Sequence, residues 1–101
     1  MDVKVRSDSD KSVIQLGGRF DFNAHREFRD AIDQVLVQRT AQAIHIDMGE
    51  VTYMDSSALG MLLMMRDKAR TTGKTVSLAN TRGSVRQVLD IANFGKLFPI
   101  L

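Results

Sequence analysis

The sequence predicts an α/β domain in which a mixed sheet of four to five strands packs with three or more helices. Three observations support this prediction. Two short alternating strands come first, segments of helical periodicity then alternate with apolar strands, and glycines or polar clusters separate the segments. With 101 residues, 44% of them hydrophobic and 26% charged, the chain fits one domain, residues 1–101, with a buried core.

The first half of the chain predicts a hairpin followed by a helix and a strand. Residues 2–7 and 12–18 are the predicted hairpin strands, joined by a polar turn. Residues 24–39 predict a helix, because apolar residues recur at three- and four-residue spacing, and Asn23 is its expected N-cap. Residues 42–48 predict a buried strand. The apolar face of the helix consists of Phe28, Ala31, Ile32, Val35 and Leu36.

The second half predicts two further helices around a strand. The helices are expected at 57–71, with Gly73 as a stop signal, and at 82–93, and the strand at 74–79. The tail 96–101 contains Pro99, so we expect an edge strand or an apolar cover there. Each strand that follows a helix should run parallel to its neighbour, because a helical crossover connects them.

Composition excludes several classes of function. No Cys is present, which excludes a disulfide framework, a zinc ribbon and thiol chemistry. The net charge is only +2 and no two basic residues are adjacent, so we expect no direct binding of nucleic acid. No apolar stretch approaches the length of a membrane span or a signal peptide. We therefore expect a soluble, cytoplasmic protein that does not bind membranes and carries no cofactor or metal.

The segment Val51 to Gly60 is the most informative part of the sequence. Asp55 and Ser56 stand where a strand or loop gives way to a helix, and either side chain can accept hydrogen bonds from free backbone amides there. One interpretation is a simple helix cap. The other is a phosphorylation site at Ser56, because a helix N-terminus favours negative charge and a phosphoryl group adds about −1.5 to −2.

The helix that follows Ser56 is nearly continuous apolar sequence from Ala58 to Met65. One interpretation is that it is buried all round, with methionines filling gaps in the core. The other is an exposed docking patch beside Ser56, for which flexible Met side chains are suited. In that interpretation, Leu59, Leu62, Leu63 and Ala69 face the sheet, and the opposite side presents Ser57, Gly60, Met61 and Met64.

These residues resemble a known signature. Tyr53-Met54-Asp55-Ser56-Ser57-Ala58-Leu59-Gly60 is similar to the motif of STAS domains of the bacterial anti-sigma-factor antagonist family. Weaker matches lie in the correct order at Gly18-Arg19-Phe20-Asp21, Val88-Leu89-Asp90-Ile91 and Leu97-Phe98-Pro99-Ile100. The resemblance covers nearly the whole chain and implies a single STAS-type domain.

The resemblance also implies a switch. In this family a partner serine kinase, often the anti-sigma factor itself, phosphorylates the Ser after the motif Asp. The unphosphorylated form binds the anti-sigma factor and frees the sigma factor, and a serine phosphatase resets the system. Carried over, Ser56 is the acceptor and Asp55 orients the site. Partner contacts are expected from Asp21, Asp55, Ser57, Gly60, Met61 and Met64.

One position departs from the family pattern. Ala58 stands where the family usually has Gly, and we expect its methyl group to crowd the close approach of a partner. This departure bears on which partner binds more than on the switch itself.

Three other functions compete with this switch. An enzyme is disfavoured, because Ser56 lies in no nucleophile elbow and Asp47, Glu50 and Asp55 have no fixed metal-binding spacing. A receiver domain phosphorylated on Asp55 would need acids directly after an apolar first strand and a Lys at the end of a later strand, and Asp2, Asp8 and Asp10 do not follow an apolar strand in this way. A STAS scaffold or accessory subunit of a stress-sensing or transport complex remains the alternative.

Overall fold

A computed structural model describes residues 1–8, 10–37 and 42–100. The strands are β1 (Asp2–Asp8), β2 (Lys11–Phe20), β3 (Ala43–Met54) and β4 (Thr75–Ala79). The helices are α1 (His25–Leu36), α2 (Ser56–Thr71) and α3 (Gly83–Ile91), and short 3₁₀ helices span Phe22–Ala24 and Phe94–Lys96.

The four strands form one mixed sheet in the order β1-β2-β3-β4. β1 and β2 are antiparallel, which confirms the predicted hairpin. β2 pairs parallel with β3, and β3 pairs parallel with β4, as the helical crossovers predict. A single parallel bridge between Leu78 and Ile100 adds the chain tail beyond β4. The predicted fold class is therefore confirmed.

The helices pack on one face of this sheet. One continuous hydrophobic cluster joins all three helices to alternate residues of the strands, because successive strand residues point to opposite faces. The opposite face carries polar side chains such as Lys4, Gln15 and Asp47, which are paired across the strands. The inward-facing residues of the three parallel strands include Ile14, Leu16, Ile44, Ile46, Met48, Val76 and Leu78.

The chain tail covers the β4 edge of the sheet. The Leu78 backbone N–H donates to the Pro99 carbonyl oxygen at 2.9 Å. Phe98 is buried, and its ring stacks on Phe94 with centroids 5.5 Å apart. The tail is thus both an edge bridge and an apolar cover. Pro99 has no backbone N–H to donate, but its carbonyl oxygen accepts the hydrogen bond from β4. Leu101, the last residue of the predicted tail, lies outside the described residues.

Several predicted boundaries were wrong. β3 continues to Met54 and not only to residue 48, because bulges between β2 and β3 shift the register and keep Val51 and Met54 facing inward. The third helix ends at Ile91, and Asn93 takes a left-handed conformation with φ of 58°. Gly73 also has a positive φ, 76°, which confirms it as the stop after α2.

The start and end of the first helix also differ from the prediction. Asn23 is not the N-cap: it lies inside the 3₁₀ helix, whose cap is Asp21. Asp21 precedes Asn23 along the chain, and its side chain accepts a hydrogen bond from the free backbone N–H of Asn23. α1 ends at Leu36, and residues 38–39 of the predicted helix lie outside the described residues.

Candidate functional site

Two aspartates stand side by side at one end of the sheet. Phe20 ends β2 and Met54 ends β3, and these two residues are paired. The next residues are Asp21 and Asp55, and the Asp55 N–H lies 3.4 Å from the Phe20 carbonyl oxygen that accepts its hydrogen bond. The parallel register therefore brings the two predicted site aspartates to the same end of the sheet.

Asp55 is the N-cap of α2. Its backbone is extended, and its Oδ1 accepts a hydrogen bond from the Ala58 N–H at 3.0 Å. This confirms the cap interpretation and fixes the half-buried carboxylate against the first turn of the helix. The cap orients the residues that follow, because the helix must begin at Ser56.

Asp21 caps the 3₁₀ helix in the same way. Its Oδ1 accepts from the Asn23 N–H at 3.0 Å, and its Oδ2 lies 3.5 Å from Arg19 Nε. The Arg19 guanidinium carbon lies 4.1 Å from the centroid of the Tyr53 ring. Arg19 thus joins the two strand ends through a cation–π contact and a weak ion pair.

Ser56 is the first residue of α2 and is exposed. Ser57 is half-buried beside it. One turn later Gly60 is also exposed, and a Cβ built there meets no atom within 4 Å. Since residues four apart lie on the same side of a helix, Ser56 and Gly60 form an open ridge that ends at the half-buried Met64. We call Ser56, Gly60 and Met64 the α2 ridge.

The predicted orientation of α2 was wrong for Met61. Met61 is only 4% exposed and belongs to the core, whereas Leu59 and Leu63 are only partly buried. The buried stripe follows the three- and four-residue spacing of a helix face. Its members are Ala58, Met61, Leu62, Met65 and Ala69. Met61 is therefore a packing residue in this structure. It is not part of the exposed docking patch that the sequence suggests.

Ala58 also lies on the buried stripe. It is 0% exposed, so its methyl group points into the core and presents nothing to a partner. The expectation that Ala58 crowds an approaching partner is wrong, because the cap at Asp55 sets this side of the helix against the sheet.

Sequence reasoning missed three exposed or partly exposed residues at this end of the sheet. Phe22 follows Asp21 and is 73% exposed, Tyr53 is 39% exposed, and Arg19 lies over Tyr53. Phe22 carried one usable signal, since it falls outside the apolar periodicity of the following helix. The pairing of Arg19 with Tyr53 depends on the β2 to β3 register.

The acidic residues considered as a metal site have separate structural roles. Asp47 Oδ1 accepts hydrogen bonds from the Gly49 N–H at 2.9 Å and from Asn80 Nδ2 at 3.0 Å. Asp55 is the helix cap. Across residues 1–8, 10–37 and 42–100, no group of three or more His, Asp or Glu side chains is placed to hold a metal ion. In the same part of the chain, no helix has the length and apolar character needed to span a membrane.

Sequence comparison identifies related proteins. The family model described as "Mlab, STAS domain" matches residues 3–100. A STAS-domain containing protein from Pseudomonas aeruginosa is 47% identical over 94 residues, which cover 93% of this chain and 91% of the relative. An anti-sigma F factor antagonist from Lysinibacillus sphaericus is 31% identical over 84 residues, covering 82% of this chain and 71% of the relative.

Solved structures share the fold at lower identity. An anti-sigma factor antagonist from Mycobacterium paratuberculosis matches with a TM-score of 0.85 at 22% identity, covering 98% of this chain and 83% of the other. The Bacillus cell fate determinant SpoIIAA in its phosphorylated form matches with a TM-score of 0.73 at 21% identity, covering 99% and 91%. A sulfate transporter family protein from Wolinella succinogenes matches with a TM-score of 0.72 at 15% identity, covering 84% and 68%.

The family model spans almost the whole chain, the relatives include an anti-sigma F factor antagonist, and the mixed sheet with helices on one face is the fold of the solved neighbours. The chain therefore belongs to the STAS domain family.

Proposed function

We propose that this protein is an anti-sigma-factor antagonist switched by phosphorylation of Ser56. In its unphosphorylated form it binds an anti-sigma factor that is also a serine kinase, and so releases the sigma factor and regulates transcription. A serine phosphatase restores the binding form. The protein itself catalyses no reaction in this scheme, and its partners supply the kinase and phosphatase activities.

One observation carries the proposal: Ser56 is exposed at the first position of α2, directly after a capping aspartate. Because the Asp55 side chain already accepts the hydrogen bond from the Ala58 N–H, the Ser56 hydroxyl is not needed as the helix cap. It can accept a phosphoryl group without loss of the hydrogen bond that starts the helix. The first turn of a helix also favours a negative group through its aligned peptide dipoles.

The proposed docking surface combines the α2 ridge with the neighbouring strand ends. Asp21, Asp55 and Ser57 border Ser56 along the chain or through the β2 to β3 pairing. Gly60 leaves open space for the close approach of a partner backbone. Met64 stays in the proposal as a partly buried apolar contact, whereas the burial of Met61 removes it.

Mapping the modified residue tests the proposal. Protein purified from its own cells is measured by intact mass with and without phosphatase, and fragmentation locates any phosphoryl group. We expect one phosphoryl group on Ser56 and none on the Ser56→Ala variant. Phosphate on another residue, or an unmodified protein under every growth condition in which the kinase is active, would refute the switch.

Phe22 is predicted to contribute to partner binding. It is 73% exposed beside Asp21, so truncation leaves the core intact but removes an aromatic contact of the kind that dominates interfaces. We expect Phe22→Ala to weaken affinity for the captured anti-sigma factor about tenfold by calorimetric titration. Ile91→Ala is the matched control, because Ile91 is 83% exposed at the end of α3. Equal affinities of Phe22→Ala and wild type would remove Phe22 from the surface.

A second candidate function is that of a STAS accessory subunit in a transport complex. The fold match to a sulfate transporter family protein favours this candidate. Affinity capture from the native cell separates the two. Recovery of an anti-sigma factor supports the switch, and recovery of transporter subunits alone supports the accessory role.

A further inference from the structure

The two edges of the sheet differ. The β4 edge is bridged by the chain tail through the Leu78 N–H and the Pro99 carbonyl oxygen. β1 lies at the other edge and, among the described strands, pairs with β2 alone. An edge strand leaves alternate backbone N–H and C=O groups pointing away from the sheet, which is a template for one more strand.

A groove of about 430 Å³ runs between β1 and α1. Its floor is apolar and its rim is acidic. Ala31 is buried at its base, whereas Glu27 and Asp30 are exposed on the first turns of α1 above it. The rest of the apolar floor is formed by Met1, Val3 and Val5, all partly buried.

The acidic rim is available for a ligand. Glu27 and Asp30 are three residues apart on one helix face. Within residues 1–8, 10–37 and 42–100, neither carboxylate takes part in an ion pair. The groove therefore concentrates negative charge in a chain whose net charge is +2.

A second copy of this chain fits the edge poorly. Centring two antiparallel β1 strands on Val5 sets Lys4 opposite Arg6. Centring them on Lys4 sets one Lys4 opposite the other but also sets Asp2 opposite Arg6 twice, so the strand charges disfavour only the Val5 register. Like charges directly opposite each other destabilise a strand pair. Such a pair would also bring the acidic rims of two α1 helices toward each other, since both helices pack on the same side of the extended sheet.

We propose that the β1 edge binds an extended segment of a partner protein by strand addition. The segment adds a fifth strand beside β1, and its residues on the helix side are apolar, flanked by Lys or Arg. The apolar side chains cover Val3 and Val5, and the basic ones reach Glu27 and Asp30. Backbone hydrogen bonds along the edge supply part of the affinity, and the acidic rim selects the charge of the ligand. This surface does not use Ser56, so the inference stands apart from the phosphorylation switch.

A pair of synthetic peptides tests this inference. The first is acetyl-Thr-Lys-Thr-Val-Thr-Val-Thr-Lys-Thr-amide, which places Lys and Val on one face of a strand, and the second has Glu in place of both Lys. Binding is followed by amide NMR shifts and by hydrogen exchange of the full chain. We expect the lysine peptide to bind about tenfold more tightly than the glutamate peptide, and to slow exchange in β1.

Charge-matched variants locate the site. Glu27→Gln with Asp30→Asn removes two charges from the groove, and Asp33→Asn with Asp67→Asn removes two exposed charges elsewhere. We expect the groove variant to lose most of the preference for the lysine peptide, and the control variant and Ser56→Asp to keep it. Equal binding of both peptides would overturn the proposal, and so would unchanged NMR shifts and exchange rates of the β1 amides. A dimer that forms through β1, detected by sedimentation, would also overturn it.

Discussion

Replacing Ser56 by Asp is expected to weaken binding of the proposed anti-sigma-factor partner by at least about a hundredfold, because docking through the α2 ridge would bury the new carboxylate without a partner charge. Two like charges that are desolvated side by side in an interface raise the free energy of binding by several kcal/mol. Each increase of about 1.4 kcal/mol raises Kd about tenfold. Asp55 lies directly beside the new carboxylate and raises that cost. Titration of the purified partner by calorimetry measures the change in Kd.

The expected loss is a loss of docking and not of folding. A negative side chain in the first turn of α2 interacts favourably with the helix dipole, by about 0.3–1 kcal/mol at an exposed site. The repulsion from Asp55 opposes this gain, so we expect the thermal midpoint of Ser56→Asp to stay close to that of wild type. A variant that loses binding and stability together would point to unfolding instead.

The matched control is Ser84→Asp. Ser84 is exposed in the first turn of α3, so this variant makes the same change of charge at the start of another helix. We expect Ser84→Asp to bind the partner like wild type and Ser56→Ala to bind it constitutively. Equal losses at the two positions would mean that net charge, and not the place of the charge at Ser56, controls binding.

The sequence predicted the chemistry at the start of α2 because that chemistry is local. A cap needs an oxygen within reach of an amide three residues later, and the spacing from Asp55 to Ala58 supplies it. The strand and helix order was also predictable, since each element carries its own periodicity and the crossovers set the strand direction.

The meeting of the two strand ends was not predictable in detail. Arg19 reaches Tyr53, and Asp21 stands beside Asp55, only because two bulges adjust the register between β2 and β3. Such irregularities depend on how both strands pack on the core, and nothing within either strand alone specifies them. The resemblance to the family placed Asp21 near the site, but Arg19 and Phe22 required the structure.

The face of α2 that packs on the sheet was ambiguous for a different reason. Polar residues normally mark the outer face of a helix, but the sequence from Ala58 to Met65 has none. Several apolar stripes are therefore compatible with the same segment. The structure selects the stripe that contains Met61, because the Asp55 cap and the end of β3 fix the rotation at which the helix begins.

Truncating Met61 measures this rotation directly. Met61 is 4% exposed in the core, so Met61→Ala is expected to lower the free energy of unfolding by about 2–5 kcal/mol through lost burial and the cavity left behind. Met and Ala differ little in helix propensity, so the change reports packing and not the intrinsic stability of the helix. Urea denaturation of purified protein gives the free energy of each variant.

Met64→Ala is the matched control, since it removes the same side chain from the same helix at a partly buried position. We expect it to cost less than about 1 kcal/mol of stability and to act mainly on partner binding, because Met64 lies on the α2 ridge. A larger loss of stability at Met64 than at Met61 would mean that α2 is rotated. The ridge would then face the sheet, and Ser56 would no longer share an open surface with Gly60. The proposed docking through Ser56 depends on the same rotation, so this comparison tests the geometric basis of the proposed switch without requiring the partner.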